Sequence, residues 1–315
     1  MGPSPARRVL VTGAAGVVGR GVLRRLAHLG VPVTALVRDD PGDLATGHGP
    51  GAERTTVDRV VVGLAHDPAS VRSALHGVDA VVHLAALASP EEGTPHDVFT
   101  NNTAATFTVL EESGAAGVST VAVAGSINAL GLRFAPGPVA PPYLPVDAES
   151  PTLAADPYAM SKWSDEATAR AMHRRHGTTV TVVRLPMVGG LGDVAGLDDR
   201  LAVFLREPAH DPGAVARDLW SYLETRDAAR ALVLALTPRE PGAHVLFAAA
   251  PTTSVPYRTA DLVARWWAGV EVRRPLPGRT VPIDLGPART VLGFAARHVV
   301  DLPELPLPQT DARRS

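Results

Sequence analysis

Residues 12–19 read TGAAGVVG and stand between a short β-branched run, RRVLVTG at 7–13, and a segment with helical spacing, GRGVLRRLAHLG at 19–30. A strand that turns into a helix within so few residues needs backbone freedom at the corner. Gly13 allows the tight turn, Gly16 lets the main chain approach a pyrophosphate, and Gly19 permits close packing of helix on strand. Tight turns use glycine for structural reasons alone, so the triplet decides little by itself. Set between a strand and a helix, it points to dinucleotide binding.

The rest of the chain repeats the alternation. VPVTALVRD at 31–39, VDRVVVG at 57–63, DAVVHLAA at 79–86, STVAVAGS at 119–126 and TTVTVVRLP at 178–186 read as further strands. Helical patterns fall at 69–76, at 98–113 and after Tyr158. The order β-α-β-β-α-β-α-β-α-β predicts an α/β fold with a doubly wound parallel sheet of Rossmann type. No internal repeat is visible, and Pro/Gly-rich sequence is confined to 135–151 and the tail after 301.

Composition excludes several classes. A length of 315 residues suits one large domain or two small ones, and 45% hydrophobic residues with a net charge of −2 describe an ordinary globular chain. No basic patch suggests nucleic acid or a membrane surface as partner. With no cysteine there is no disulfide, thiol nucleophile or Cys-ligated metal, and no metal site is expected. MGPSPARR carries no apolar run, and no stretch approaches the ~20 apolar residues of a membrane span. A cytoplasmic enzyme acting on a small molecule is the expectation.

Among 30 basic residues there is one lysine, Lys162, in DPYAMSKWSDE at 156–166. Arginine is a planar, permanently charged fork, whereas lysine is a point charge that couples to its neighbours. Tyr158 precedes Lys162 by four residues, which on a helix puts both on one face. Asp156 and Pro157 have the character of an N-cap and first-turn residue. Tyr158 then lies in the first turn, where the helix dipole and the ammonium both favour a phenolate. The other reading is an exposed helix with an incidental pair, but four tyrosines in the chain offer only four such slots for a lone lysine.

The spacing TGxxGxxG, HLAA at 83–86, Asn102, Ser126 and YxxxK resembles the extended short-chain dehydrogenase/reductase family, the NAD-dependent epimerase/dehydratase group. YLETRDAARA at 222–231 and IDLGPARTVLGF at 283–294 extend the likeness over most of the chain. The resemblance implies that Tyr158 is the general acid/base, that Lys162 eases its ionisation and holds the nicotinamide ribose, that Ser126 orients the reacting oxygen, and that Asn102 supports the active-site helix. Ser126 is placed by standing five residues before Gly131; otherwise it is a strand-end serine capping a turn. His83 reads as a core-strand histidine. Further cofactor contacts are implied at Val17, Val18, Leu84, Ala85, Ala86 and Leu185.

Cofactor choice turns on the end of the second strand. Eighteen residues beyond Gly19 stands Val37, where an acid would bind a ribose 2′-OH, and Arg38 follows it. A guanidinium suits a 2′-phosphate, which favours NADP over NAD. A one-residue shift would instead offer Asp39 or Asp40. Leu64 occupies the place of the family's adenine-binding aspartate in VVGLAHD at 61–67, leaving adenine to Leu64, Ala65 and backbone groups.

Trp220 stands where relatives acting on nucleotide sugars have a diphosphate-gripping arginine, and Arg217 replaces it only if the loop bends. Residues 189–212 also lack the basic and Asn residues expected around a nucleotide diphosphate. SINALG at 126–131 and LWSYL at 219–223 look more like uronate dehydrogenase, with Ser126, Asn128, Tyr158 and Trp220 as substrate contacts. The implied function is hydride transfer between nicotinamide and a secondary alcohol or ketone of a small hydroxylated or sugar-like substrate. The alternatives are an epimerase/dehydratase that retains its cofactor and a non-catalytic dinucleotide sensor. The expected organisation is a cofactor core at 1–186 plus 218–249, a substrate lobe at 187–217 plus 250–301, and a flexible tail at 302–315. The paired Trp266 and Trp267 belong to that lobe's core or to a lid, and the resemblance implies a homodimer through the helices at 98–113 and 158–176.

Overall fold

The computed structural model describes residues 8–39, 44, 57–206 and 211–308. Asp40 lies outside the described residues. β1 (Val9–Thr12) leads through the glycine turn into α1 (Val17–His28), and β2 (Val33–Val37), β3 (Val57–Val62), α2 (Pro68–Ala74), β4 (Ala80–His83), α3 (Pro95–Ala115) and β5 (Thr120–Ser126) follow. Next come β6 (Tyr143–Leu144), α4 (Pro157–His176), β7 (Thr179–Leu185), β8 (Met187–Gly189), α5 (Arg200–Arg206) and β9 (Tyr222–Glu224). The last elements are α6 (Thr225–Leu234), β10 (Ala243–Phe247), α7 (Thr259–Trp266), β11 (Glu271–Val272) and α8 (Gly286–Leu292).

Seven strands pair in the order β10-β7-β5-β4-β1-β2-β3, all parallel. The expected doubly wound sheet is therefore present. β1, β2, β4 and β7 are buried along their whole length, as a parallel sheet covered on both faces requires. One face packs Val22, Leu26 and Leu232 from α1 and α6; the other packs Val71, Val109 and Met172 from α2, α3 and α4. The order in which strands are added to the sheet reverses between β1 and β4, and the crevice beyond their carboxyl ends is where ligands bind in such sheets.

β10 is an edge strand absent from the six-strand sequence reading. AHVLF is five residues long and buried only at its last two, so one neighbour and little periodicity left no signal to read. The described part of the tail, up to residue 308, makes contacts with the preceding chain. Arg279 donates to Leu302 O, Leu305 N donates to Pro256 O at 2.6 Å, and Leu305 bridges Tyr257. Residues 309–315 lie outside the described residues.

A further apolar cluster gathers Leu130, Leu144, Trp220, Val255, Trp267 and Ile283 from well-separated stretches of chain. Leu144 brings β6, which pairs with β11, into this cluster, while β8 and β9 form a separate two-stranded sheet. α4 begins as its sequence dictates: Asp156 Oδ1 accepts the Ala159 N–H at 2.9 Å, Pro157 fills the first turn, and Gly177 closes the helix at φ +74°. Farther along, Glu166 receives both forks of Arg184 at 2.6 and 2.8 Å, locking α4 to β7. Both side chains are buried, and removing one partner of such a pair costs about 3–5 kcal/mol.

Candidate active site

The β1–α1 corner is built by what glycine lacks. Gly13 has φ +66°, and a methyl there would sit 2.8 Å from Ala85 N; a methyl on Gly19 would collide with the carbonyl oxygens of Gly13 and Ala14. The turn therefore lies directly against the backbone of the loop after β4. Gly16 meets no such crowding and is exposed at the N-terminus of the twelve-residue α1, which has no side-chain cap and no acid in its first turn. Its free N–H groups and the positive end of the helix dipole face a cavity of about 570 Å³. That is a cradle for a pyrophosphate.

The cavity is lined by Gly13, Gly16, Val17, Val18 and Gly19 on one side and by Leu84, Ala85 and Ala86 on another. Arg38, Leu64 and Ala65 close its far end, so eleven of the sequence-predicted cofactor residues come together. Tyr158, Lys162 and Leu185 do not line it; Leu185 ends β7 beside Ser126. Asp39 lines the cavity with Arg38, whose Nε donates to its carboxylate at 2.9 Å. Sequence reasoning missed His66, Asn101 and Arg200. His66 Nδ1 lies 3.3 Å from Asn101 Oδ1, and Arg200 comes from the 189–212 stretch that had looked devoid of useful basic residues.

Tyr158 and Lys162 share one face of α4, with Nζ 5.9 Å from the phenol ring centroid. Nζ donates to Ala124 O in β5 at 3.3 Å, which brings the pair to the strand that ends in Ser126. Ser126 Oγ accepts the Asn128 N–H at 3.1 Å, leaving its own proton for another acceptor. Asn128 is half-buried, and Phe134 stands edge-on to Tyr158 at 6.3 Å. Fully buried Asn102 accepts Leu87 N–H at 2.8 Å and donates to Leu87 O at 3.0 Å and to Ser161 Oγ at 3.2 Å, tying the loop after β4 to α4.

A family model, NAD dependent epimerase/dehydratase family, matches residues 9–246. The chain belongs to this family. It is similar to the UDP-glucose 4-epimerase of Azospirillum brasilense, 31% identical over 196 residues that make up 60% of this chain and 51% of that protein. It is similar also to the uronate dehydrogenase of Pseudomonas putida, 26% identical over 185 residues, 59% of this chain and 62% of the relative. The chain thus spans about half the length of the first relative and under two thirds of the second. Among solved structures, the UDP-glucose 4-epimerase of Bifidobacterium longum in complex with NAD+ and UDP superimposes with a TM-score of 0.64 at 20% identity, over 93% of this chain and 94% of that one. This last likeness shows the shared fold. The glycine cradle fits the dinucleotide that the family's name implies.

Trp220 departs from its expected place at the substrate. It has no exposed surface, its Nε1–H donates to Pro212 O at 2.8 Å, and its ring packs on Trp267 at 4.8 Å and Trp266 at 6.2 Å. Leu219 and Trp220 both adopt left-handed φ, 58° and 51°, which turns the indole into the core. Arg217 donates to the carbonyls of Ala135 and Gly137, both at 3.0 Å, and so braces a loop. No helix among the described residues is long and apolar enough to cross a membrane, and no described cluster of His, Asp or Glu could hold a metal.

A buried group, His83, and a half-buried one, Asp218, have displaced titrations. Burial and then the Lys162 charge push the His83 imidazole down to about 3, so it stays neutral. Asp218 moves the other way: burial lifts its carboxyl to about 6 although Arg133, at 2.6 Å, pulls it down.

These displacements have opposite consequences for stability. From about pH 6.5 down to 3 the unfolded chain takes up a proton that folded His83 refuses, so the His83 contribution falls with pH by up to ~1.4 kcal/mol per unit. Folded Asp218 keeps a proton up to about 6 that the unfolded chain releases near 3.8, so its contribution is present at low pH and fades as pH rises. Denaturant titrations should show His83→Gln flattening the acid loss of stability and Asp218→Asn steepening it. Slopes equal to that of the parent protein would refute both assignments.

Proposed function

We propose that this chain is an NADP-preferring oxidoreductase that moves a hydride between the nicotinamide and a secondary alcohol or ketone of a small hydroxylated or sugar-like substrate. The observation that carries this reading is the Tyr158–Lys162 pair on one face of α4, with the ammonium bonded to Ala124 O in the strand that ends in Ser126. The nicotinamide supplies the hydride acceptor or donor. In the oxidising direction the Tyr158 phenolate takes the substrate's hydroxyl proton, and Ser126, already accepting from Asn128 N–H, donates to the same oxygen. The Lys162 ammonium favours the phenolate, and Asn102 holds α4 in place against the β4 loop. Residues 1–186 with 218–249 carry the cofactor in this reading, while 187–217 with 250–301 cover the substrate.

Similarity to a UDP-glucose 4-epimerase favours a second reading, epimerisation or dehydration with the cofactor retained. The site argues against a nucleotide diphosphate, because Trp220 is buried at the arginine's place and Arg217 is engaged with two carbonyls. A non-catalytic dinucleotide sensor would have no use for an intact Tyr158–Lys162 pair. Tyr158→Phe should lower turnover by at least ~10²-fold with dinucleotide affinity nearly unchanged, and Lys162→Arg should be almost as damaging because the fork does not replace the point charge. Full activity in the phenylalanine variant would remove the tyrosine from the mechanism. Stoichiometric change in nicotinamide absorbance marks the oxidoreductase; product without it marks the epimerase.

NADP preference rests on Arg38, exposed at the cavity rim directly after β2, with the neighbouring carboxylate of Asp39 already engaged by it. Arg38→Ala should weaken NADP binding by roughly tenfold, about the loss of one charged hydrogen bond, and spare NAD. Equal loss of both, measured by calorimetry, would overturn the preference.

A homodimer through α3 and α4 is part of the same reading. These helices pack side by side and leave Phe107, Trp163 and Met160 exposed at 51%, 49% and 41%. Light scattering should give twice the chain mass, falling to the monomer in Trp163→Glu; a monomeric parent protein would sink this assembly.

A further inference from the structure

α4 presents a third group on the face that carries Tyr158 and Lys162. Asp165, one turn beyond the lysine, is 1% exposed, and its Oδ2 accepts from Lys162 Nζ at 3.3 Å. The two bonds of the ammonium to protein are this one and that to Ala124 O, also at 3.3 Å. A cation next to a phenol favours phenolate, but a carboxylate on the same cation cancels much of its field. We propose that Asp165 is a positioning residue which, through a buried ion pair with Lys162, sets how strongly the ammonium acts on the Tyr158 phenol. The inference rests on the catalytic reading of Tyr158 and Lys162, which gives no role to this carboxylate.

A directional chain of buried polar groups leads to Asp165. Thr12 Oγ1 accepts the N–H groups of Leu84 and Ala85 at 3.1 and 3.2 Å, so its own proton points to His83 Nδ1 at 2.8 Å. With Nδ1 accepting, neutral His83 carries its proton on Nε2 and donates to Thr106 Oγ1 at 3.2 Å. The Thr106 hydroxyl keeps its own proton free, and its influence lowers the proton affinity of the Asp165 carboxyl. The donors of Thr12 and His83 are thus oriented in one direction along the chain.

Opposing influences act on the same group from each element around it. Burial, the largest influence, leaves the Asp165 carboxyl above its ordinary range; the Lys162 ammonium and Thr106 pull against it, and the neighbouring Glu166 adds to the rise. Glu166 is itself neutralised by Arg184 of β7, and His83 of β4 bears no charge, so Lys162 is the cation that faces Asp165. Burial pulls the ammonium down, but Asp165 and Tyr158 raise it above its ordinary range, keeping it charged. One oxygen, Oδ1, has no hydrogen-bond partner, so the carboxylate is held chiefly by the lysine. A structural acid in this position would be expected to have both oxygens satisfied.

The test titrates the phenol without requiring turnover. Tyrosinate absorbance is followed against pH in the full-length protein and in Tyr158→Phe, and the difference isolates Tyr158. Asp165→Asn keeps the shape and removes the charge, so Tyr158 should ionise roughly one pH unit lower, and the acid limb of the activity profile should move down with it. In a Lys162→Met background the same substitution should leave the titration in place, because the carboxylate acts through the ammonium. Asp165→Ser supplies the same comparison should the asparagine variant fail to fold. A titration unmoved by either variant, or moved upward, overturns the proposal, as does lost stability with no change in the titration. If the titration moves but no substrate is turned over, the Asp165 assignment stands and the oxidoreductase reading falls.

Discussion

The close approach of the β1–α1 corner to the loop after β4 is the constraint on which the site depends. Backbone meets backbone there, because Gly13 has no Cβ to hold Ala85 away and Gly19 none to hold α1 off the turn. Thr12 reinforces the contact by accepting two N–H groups of the opposing loop. Only with these two strand ends held together does the uncapped N-terminus of α1 face a cavity bounded on its other side by Leu84–Ala86. The crevice at the reversal of strand order becomes a site because the main chain can come so near.

α4 carries the Tyr158–Lys162 pair and is held more firmly than a surface helix would be. Asn102 links it to the β4 loop, Arg184 links Glu166 to β7, and Lys162 reaches Ala124 in β5. Each of these bonds is buried or half-buried, where loss of a partner is costly. The result is a phenol whose position relative to the cradle is determined from three directions. Such fixed geometry is what proton transfer at a substrate oxygen needs.

Much of this was legible in the residues. The glycine spacing, the Asp156–Pro157 helix start and the Tyr158–Lys162 pair are all local, and each corresponds to a feature of the structure. Six strands were readable because buried parallel strands are short apolar runs between turn signals. β10 was not, being a half-exposed edge of five residues. Trp220 was placed from its distance to Asp227 along the chain, yet two successive left-handed residues rotate it into a cluster with Trp266 and Trp267. Arg200 and His66 were missed because nothing near them in sequence marks them as neighbours of a cavity.

The sequence by itself determined the order of elements, the dinucleotide cradle and the pairing of a phenol with an ammonium, since each depends on spacings shorter than two helical turns. The tertiary structure decided which side chains are sealed from water: that Trp220 is core, that His83 is neutral, and that a carboxylate shares the only lysine. Burial is set by segments far apart in the chain, Thr12 with His83, Thr106 with Asp165, Leu87 with Asn102. No local pattern encodes their meeting, and the charge state of a buried group follows from that meeting alone.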